Sequence, residues 1–152
     1  MAVAVATRAA DETEVLMPQP SLANLDELLD AVRRSGLDVR CTVDGTPRSL
    51  PAAVDLSAFR VVQEALTNTL RHARATVASV DVRYGNDAID IEVTDDGTSC
   101  VEASGQLVGG GGHGLVGMRE RVALYGGDLD FGHAPAGGFR VHAWLPLKGV
   151  SV

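Results

Sequence analysis

An α+β fold, a two-layer sandwich of one mixed, mostly antiparallel sheet with helices on one face, is predicted for this 152-residue chain by three observations. Five short runs alternate apolar and polar residues as strands do. Three longer runs repeat apolar residues at helical spacing. Their order, helix–strand–helix–strand–strand–loop–helix–strand–strand, collects the strands into one sheet with helices on a single face.

Size and charge set the bounds. A chain of this length with 45% hydrophobic residues is long enough for one well-buried core and too short for two ordinary domains. The formal charge is −7, and the 13 basic residues form no stripe, which argues against bulk nucleic acid as a partner. A single bound nucleotide stays compatible. Cys41 and Cys100 have no C-x-x-C neighbour or zinc-like spacing, so both read as reduced thiols in a cytoplasmic setting. The opening apolar run is too short for a signal peptide, and nowhere do 18 apolar residues follow one another.

Residues 1 to 20 mix alanine, acids and "MPQP", which suits a linker entering from something upstream, and residues 21 to 149 make the domain. "SLANLDELLDAVRRSG" offers Ser21 as N-cap, Leu22, Leu25, Leu28, Leu29 and Val32 as an apolar stripe, and Gly36 as a stop. "LDVRCTV" alternates as a strand with Cys41 toward the core, and "DGTPRSLP" turns. From about Ala52 to Ala73 a longer helix buries Leu56, Phe59, Val62, Leu66 and Leu70. "TVASVDVRYG" and "AIDIEVTDDG" form a hairpin around Asn86-Asp87. A polar, glycine-rich stretch from 98 to 113 precedes a short helix, 115 to 125, which stops at Gly126-Gly127. Two strands in "DLDFGHAPAGGFRVHAWLPL" close the domain.

Three stretches carry chemistry. On the long helix, Glu64, Asn68 and His72 recur every four residues on one face, with Val62, Leu66 and Leu70 about 200° away. A solvated face would have the same spacing, but Thr67, Asn68 and Thr69 are poor helix formers for the middle of a helix. An amide oxygen there suits Mg²⁺, which takes oxygen ligands and needs few from the protein. In "IDIEVTDDG", Asp95 shares parity with Ile89, Ile91 and Val93 and points inward, whereas Asp96 points to water. A carboxylate on a core face needs a partner. It either caps the Gly97 bend or accepts a hydrogen bond from a buried ligand such as an exocyclic amine.

The third stretch, "GGGGHGLVGMRERV", contains Gly112, Gly114 and Gly117 in a G-x-G-x-x-G pattern. A dinucleotide turn needs a strand feeding the glycines, and the preceding residues have no strand character. A loose glycine run ahead of a helix is either an ordinary linker or a lid that closes over a ligand, with free N–H groups favouring phosphate at the helix start. The lone lysine, Lys148, lies in "PLKGV", so no phosphate loop of the G-x-x-x-x-G-K type exists.

In combination and order, "FRVVQEALTNTLRHA", "VTDDG" and "GHGLVGMRERV" resemble the asparagine box and two glycine boxes of the Bergerat-type ATPases, which join gyrase, heat-shock chaperones, histidine kinases and mismatch-repair proteins. More narrowly, residues 21 to 147 resemble the catalytic domain of sensor histidine kinases that pair with LuxR/NarL-type response regulators. The resemblance implies a Bergerat ATP-binding fold, ATP and Mg²⁺ as cofactors, and transfer of the γ-phosphoryl group to a histidine on a separate dimerisation domain. It implies that Asn68 ligates Mg²⁺, that Glu64 orients water or the attacking group, and that Arg71 and His72 lie near the phosphates. Asp95 would accept the adenine amino group, and Gly97 would let the base approach. Gly112, Gly114 and Gly117, with Leu115 beside them, would shape a lid hinge and contact the nucleotide.

Two departures stand out: Ser99 replaces a usual glycine, and Phe139 a usual threonine on a late strand. The four histidines are followed by alanine or glycine, never by the acidic residue that marks a phosphoacceptor. The resemblance therefore implies partners: an acceptor-histidine domain, upstream or in trans, and a response regulator. It also implies a cytoplasmic, monomeric isolated domain in a kinase anchored, if at all, through other segments. A regulatory ATP-binding module of the anti-sigma or adaptor type is the alternative reading.

Overall fold

The computed structural model describes residues 20–97, 112–135 and 137–147. The linker expected at residues 1 to 20 lies outside them save Pro20, as do Cys100 and Ser99. Five strands, β1 (Asp38–Asp44), β2 (Val77–Tyr84), β3 (Ala88–Asp95), β4 (Asp128–His133) and β5 (Phe139–Pro146), form one sheet in the order β1-β2-β3-β5-β4. Only β1 and β2 run parallel. A parallel pair needs a long crossover. The helix α2 (Ala52–Asn68) supplies it, extended by a wider π-type turn, Thr69–Ala73, and ended by Arg74 in the left-handed conformation. The other helices are α1 (Leu25–Arg34) and α3 (Gly112–Leu124). The mixed sheet and helical layer agree with the sequence reading.

Alternation along the strands decides the two faces of the sheet. Ala78, Val80 and Val82 of β2, Ile89, Ile91 and Val93 of β3, and Val141, Ala143 and Leu145 of β5 are buried against the helices. Asp90, Glu92, Arg140 and His142 occupy the other face, where Arg140 pairs with Glu92 and His142 Nε2 lies 2.8 Å from Asp90 Oδ1. Burying a Leu or Ile side chain contributes about 1.5–3 kcal/mol. A one-residue slip would therefore exchange a dry face for a charged one.

Ser21 caps the chain entering α1 through a short 3₁₀ turn, Leu22–Asn24, its hydroxyl accepting from the Ala23 N–H while Asn24 Oδ1 accepts from the Ser21 N–H. Gly36, at φ 104°, ends it as the sequence suggests. Cys41 is only half-buried, packed against the rim of the core.

Two helix expectations shift. The buried face of α2 is centred on Val54, Ala58, Val61, Val62, Ala65 and Leu66, whereas Leu56 is half-buried and Leu70 is 42% exposed. Four residues beyond Ala65, the position facing the sheet is Thr69, which is buried. In addition, α3 begins at Gly112 rather than 115, so Gly114 and Gly117 lie inside the helix.

Candidate functional site

Three elements converge at the end of the sheet where β3 finishes. The first is β3 itself. Asp95 is 8% exposed, and its two carboxylate oxygens are held separately: Oδ1 accepts the Gly97 N–H at 2.9 Å, and Oδ2 lies 2.9 Å from Thr69 Oγ1. Gly97 is itself buried. Opposite Asp95 in register stands Phe139, 5% exposed and unable to donate a hydrogen bond.

Asp96, one residue on, faces solvent and does different work. Its carboxylate accepts the Thr76 hydroxyl at 2.7 Å, the Thr76 N–H at 2.8 Å and the Val77 N–H at 3.0 Å. These bonds, the Thr76 hydroxyl first, stabilise the charged form and lower its pKa to about 2. Asp96 therefore fastens the start of β2 to the end of β3. The parity read from sequence separates the two aspartates as observed.

The second element is the last part of α2. Asn68 is 5% exposed, and its Nδ2 is a buried side-chain atom without a hydrogen-bond partner. A buried polar group left unpaired costs about 1–3 kcal/mol. Half a turn about the last side-chain bond presents Oδ1 in its place at no change of shape. Glu64, one turn earlier, is half-buried and leans on the third element.

That element is α3. A side chain on Gly114 would meet Glu64 Oε2 at 2.2 Å, so with glycine there the Glu64 carboxylate lies directly against α3, and any larger residue would push it aside. Leu115, next to it, is fully buried. Gly117 has open space around its Cα and no such constraint. Arg71 is exposed on the wide turn, and the side chain of His72 and the surroundings of Gly112 lie outside the described residues.

Sequence reasoning missed two participants. Thr69 was visible as a threonine spaced four from an alanine in mid-helix. Gly138 was visible as the second of two glycines before β5: it sits at φ +86°, and a Cβ there would lie 1.8 Å from the Asp95 carbonyl oxygen. The β4–β5 turn thus presses on the backbone that carries the buried carboxylate. Among the described residues no cluster of three or more His, Cys, Asp or Glu side chains could hold a metal ion, and no helix is long and apolar enough to cross a membrane.

Residues 53–149 match the family described as histidine kinase-, DNA gyrase B-, and HSP90-like ATPase. Among similar proteins, the sensor histidine kinase LnrJ of Bacillus subtilis is 34% identical over 127 residues, covering 84% of this chain and 30% of that protein. Sensor histidine kinase NarS of Mycobacterium tuberculosis is 36% identical over 117 residues, covering 76% of this chain and 27% of its own. The chain thus spans less than a third of the length of these relatives. Two solved structures share the fold. The histidine kinase AdeS of Acinetobacter baumannii superposes with a TM-score of 0.64 at 14% identity, over 84% of this chain and 64% of that one. The blue-light activated histidine kinase of Erythrobacter litoralis gives 0.63 at 22% identity, over 87% and 46%.

Proposed function

Because the chain belongs to the histidine kinase-, DNA gyrase B-, and HSP90-like ATPase family, we propose that it is the ATP-binding catalytic domain of a two-component sensor histidine kinase. In this reading it transfers the γ-phosphoryl group of ATP to a histidine on a separate dimerisation domain, from which a response regulator receives it. The observation that carries the reading is a pair of buried groups: the Asn68 amide with an unused polar end, and the Asp95 carboxylate held by Thr69, the residue after Asn68.

The donor set fits ATP with Mg²⁺. Asn68 offers one unengaged amide, and Mg²⁺ keeps most of its water and takes few protein ligands. When bound, the metal neutralises charge on the transferring phosphate. Asn68 holds it through its amide oxygen, and Glu64 orients water or the attacking group. Arg71 and His72 serve the phosphates. Asp95 accepts the adenine amino group and repels a guanine carbonyl, a discrimination that a buried hydrogen-bonding site can carry to about 10⁴. Gly97 admits the base, while Gly112, Gly114, Leu115 and Gly117 line the start of the helix beside it. The whole kinase is cytoplasmic in this part and is anchored, if at all, through segments beyond this chain.

The test uses γ-labelled Mg·ATP with the chain alone and with a dimeric helical domain carrying an acceptor histidine, supplied in trans. The chain alone is expected to bind ATP without labelling itself, since positioning the acceptor in line supplies much of the rate. Acid-labile label should then appear on the added domain. Label on the isolated chain at a rate independent of its concentration, or no binding of ATP, overturns the reading.

A further inference from the structure

We infer that Thr69 sets the nucleotide selectivity of this site by aiming the Asp95 carboxylate. The inference rests on Asp95 being the acceptor for the base, and it adds a positioning residue that neither the motifs nor the family match assigns.

Thr69 Oγ1 lies 2.9 Å from Asp95 Oδ2 and 3.0 Å from the Ala65 carbonyl oxygen. A hydroxyl has one hydrogen to give. The Ala65 carbonyl already accepts the Thr69 backbone N–H at the end of α2, whereas a carboxylate is the stronger acceptor. The hydroxyl therefore donates to Asp95. Gly97, two residues along the chain, donates its N–H to the other oxygen. With one donor per oxygen, coming from two different elements, the carboxylate cannot rotate about its last bond without losing both. Each oxygen keeps a lone pair for a ligand.

No substitute for Thr69 stands nearby across the sheet. The residue paired with Asp95 on β5 is Phe139, which fills the space with an apolar ring. Thr69 is itself 5% exposed and β-branched, so its side chain has little freedom to turn away. Remove its hydroxyl and Oδ2 loses its donor, leaving the buried carboxylate anchored through Oδ1 alone and free to swing toward any other donor. Binding of a base with an amino group then loses its preset acceptor. Binding of the triphosphate does not.

Calorimetric titration of the chain with ATP and with purine riboside triphosphate, which lacks the amino group, separates these effects. Thr69→Val is expected to lower affinity for ATP about tenfold while leaving the amine-free analogue unchanged, and Thr69→Ser is expected to match the parent for both. Unchanged affinity for both nucleotides in Thr69→Val, or an equal fall for both, overturns the inference. If Thr69→Val does not fold, Thr69→Ala removes the same hydroxyl without crowding the carboxylate and is judged by the same outcomes. Asp95→Asn tells the two levels apart. If it leaves the ATP-to-analogue ratio intact, the reading of Asp95 itself fails; if it collapses the ratio while Thr69→Val does not, only the role of Thr69 fails.

Discussion

The two ends of the sheet are built to different standards of completion. At the end where β2 turns into β3, backbone groups are taken up: Gly85 N–H donates to the Ala88 carbonyl, Leu147 N–H to the Asp87 carbonyl, and the Arg48 guanidinium donates to the carbonyls of Gly85 and Asn86 at 2.7 and 2.8 Å. At the other end lie the unpartnered Asn68 amide, the wide turn after α2 and Arg74 at φ 50°, the single non-glycine residue with positive φ among the described residues. Left-handed backbone in a side-chain-bearing residue costs roughly 1–2 kcal/mol. These unfavourable local choices gather at the end where the nucleotide site is proposed.

The largest expected effect tests whether the ends differ in function or only in stability. Gly45, near the turn, and Gly138, beside Asp95, both have positive φ, and an added Cβ would meet backbone oxygen at 2.5 Å in one and 1.8 Å in the other. Alanine at either should destabilise the fold by about 2–3 kcal/mol in denaturant titration. Only Gly138→Ala should also weaken nucleotide binding at a temperature where both variants stay folded. Equal loss of binding from Gly45→Ala would erase the distinction.

Next in size is a contrast of opposite sign. Asn68→Ala removes a buried group whose Nδ2 makes no hydrogen bond, so the nucleotide-free protein should melt no lower than the parent while Mg²⁺-dependent ATP binding is lost. Arg48→Ala should do the reverse, costing about 1 kcal/mol of stability and leaving ATP binding as it was. A large drop in the melting temperature of Asn68→Ala would make its amide structural.

The smallest effect concerns Asp96. Its pKa in the folded chain, about 2, lies below the ordinary aspartate value of 3.8, so its hydrogen bonds stabilise the fold above that value. That contribution is lost as pH falls through the folded pKa. Asp96→Asn should flatten the acid dependence of the melting temperature between about pH 4 and pH 2 and leave the preference for ATP over GTP unchanged. A changed preference would place Asp96, and not its neighbour alone, at the base.

Much of this was legible along the chain because it depends on periods of two and of about four residues. Alternation alone assigned Asp95 to the core face and Asp96 to solvent, and Ser21 and Gly36 bounded the first helix through local capping chemistry. The order and spacing of the asparagine and glycine boxes pointed to the ATPase family that residues 53–149 match. The rest depended on distances between elements far apart in sequence. That Thr69 is buried while Leu70 is exposed is decided by how the end of α2 packs. That Gly114 lies against Glu64 of another helix, and that Gly138 must be glycine because of the Asp95 carbonyl, is decided by packing. Local patterns record which way a side chain points, because backbone geometry repeats; which partner it meets is decided only when packing brings the helices and turns against the sheet.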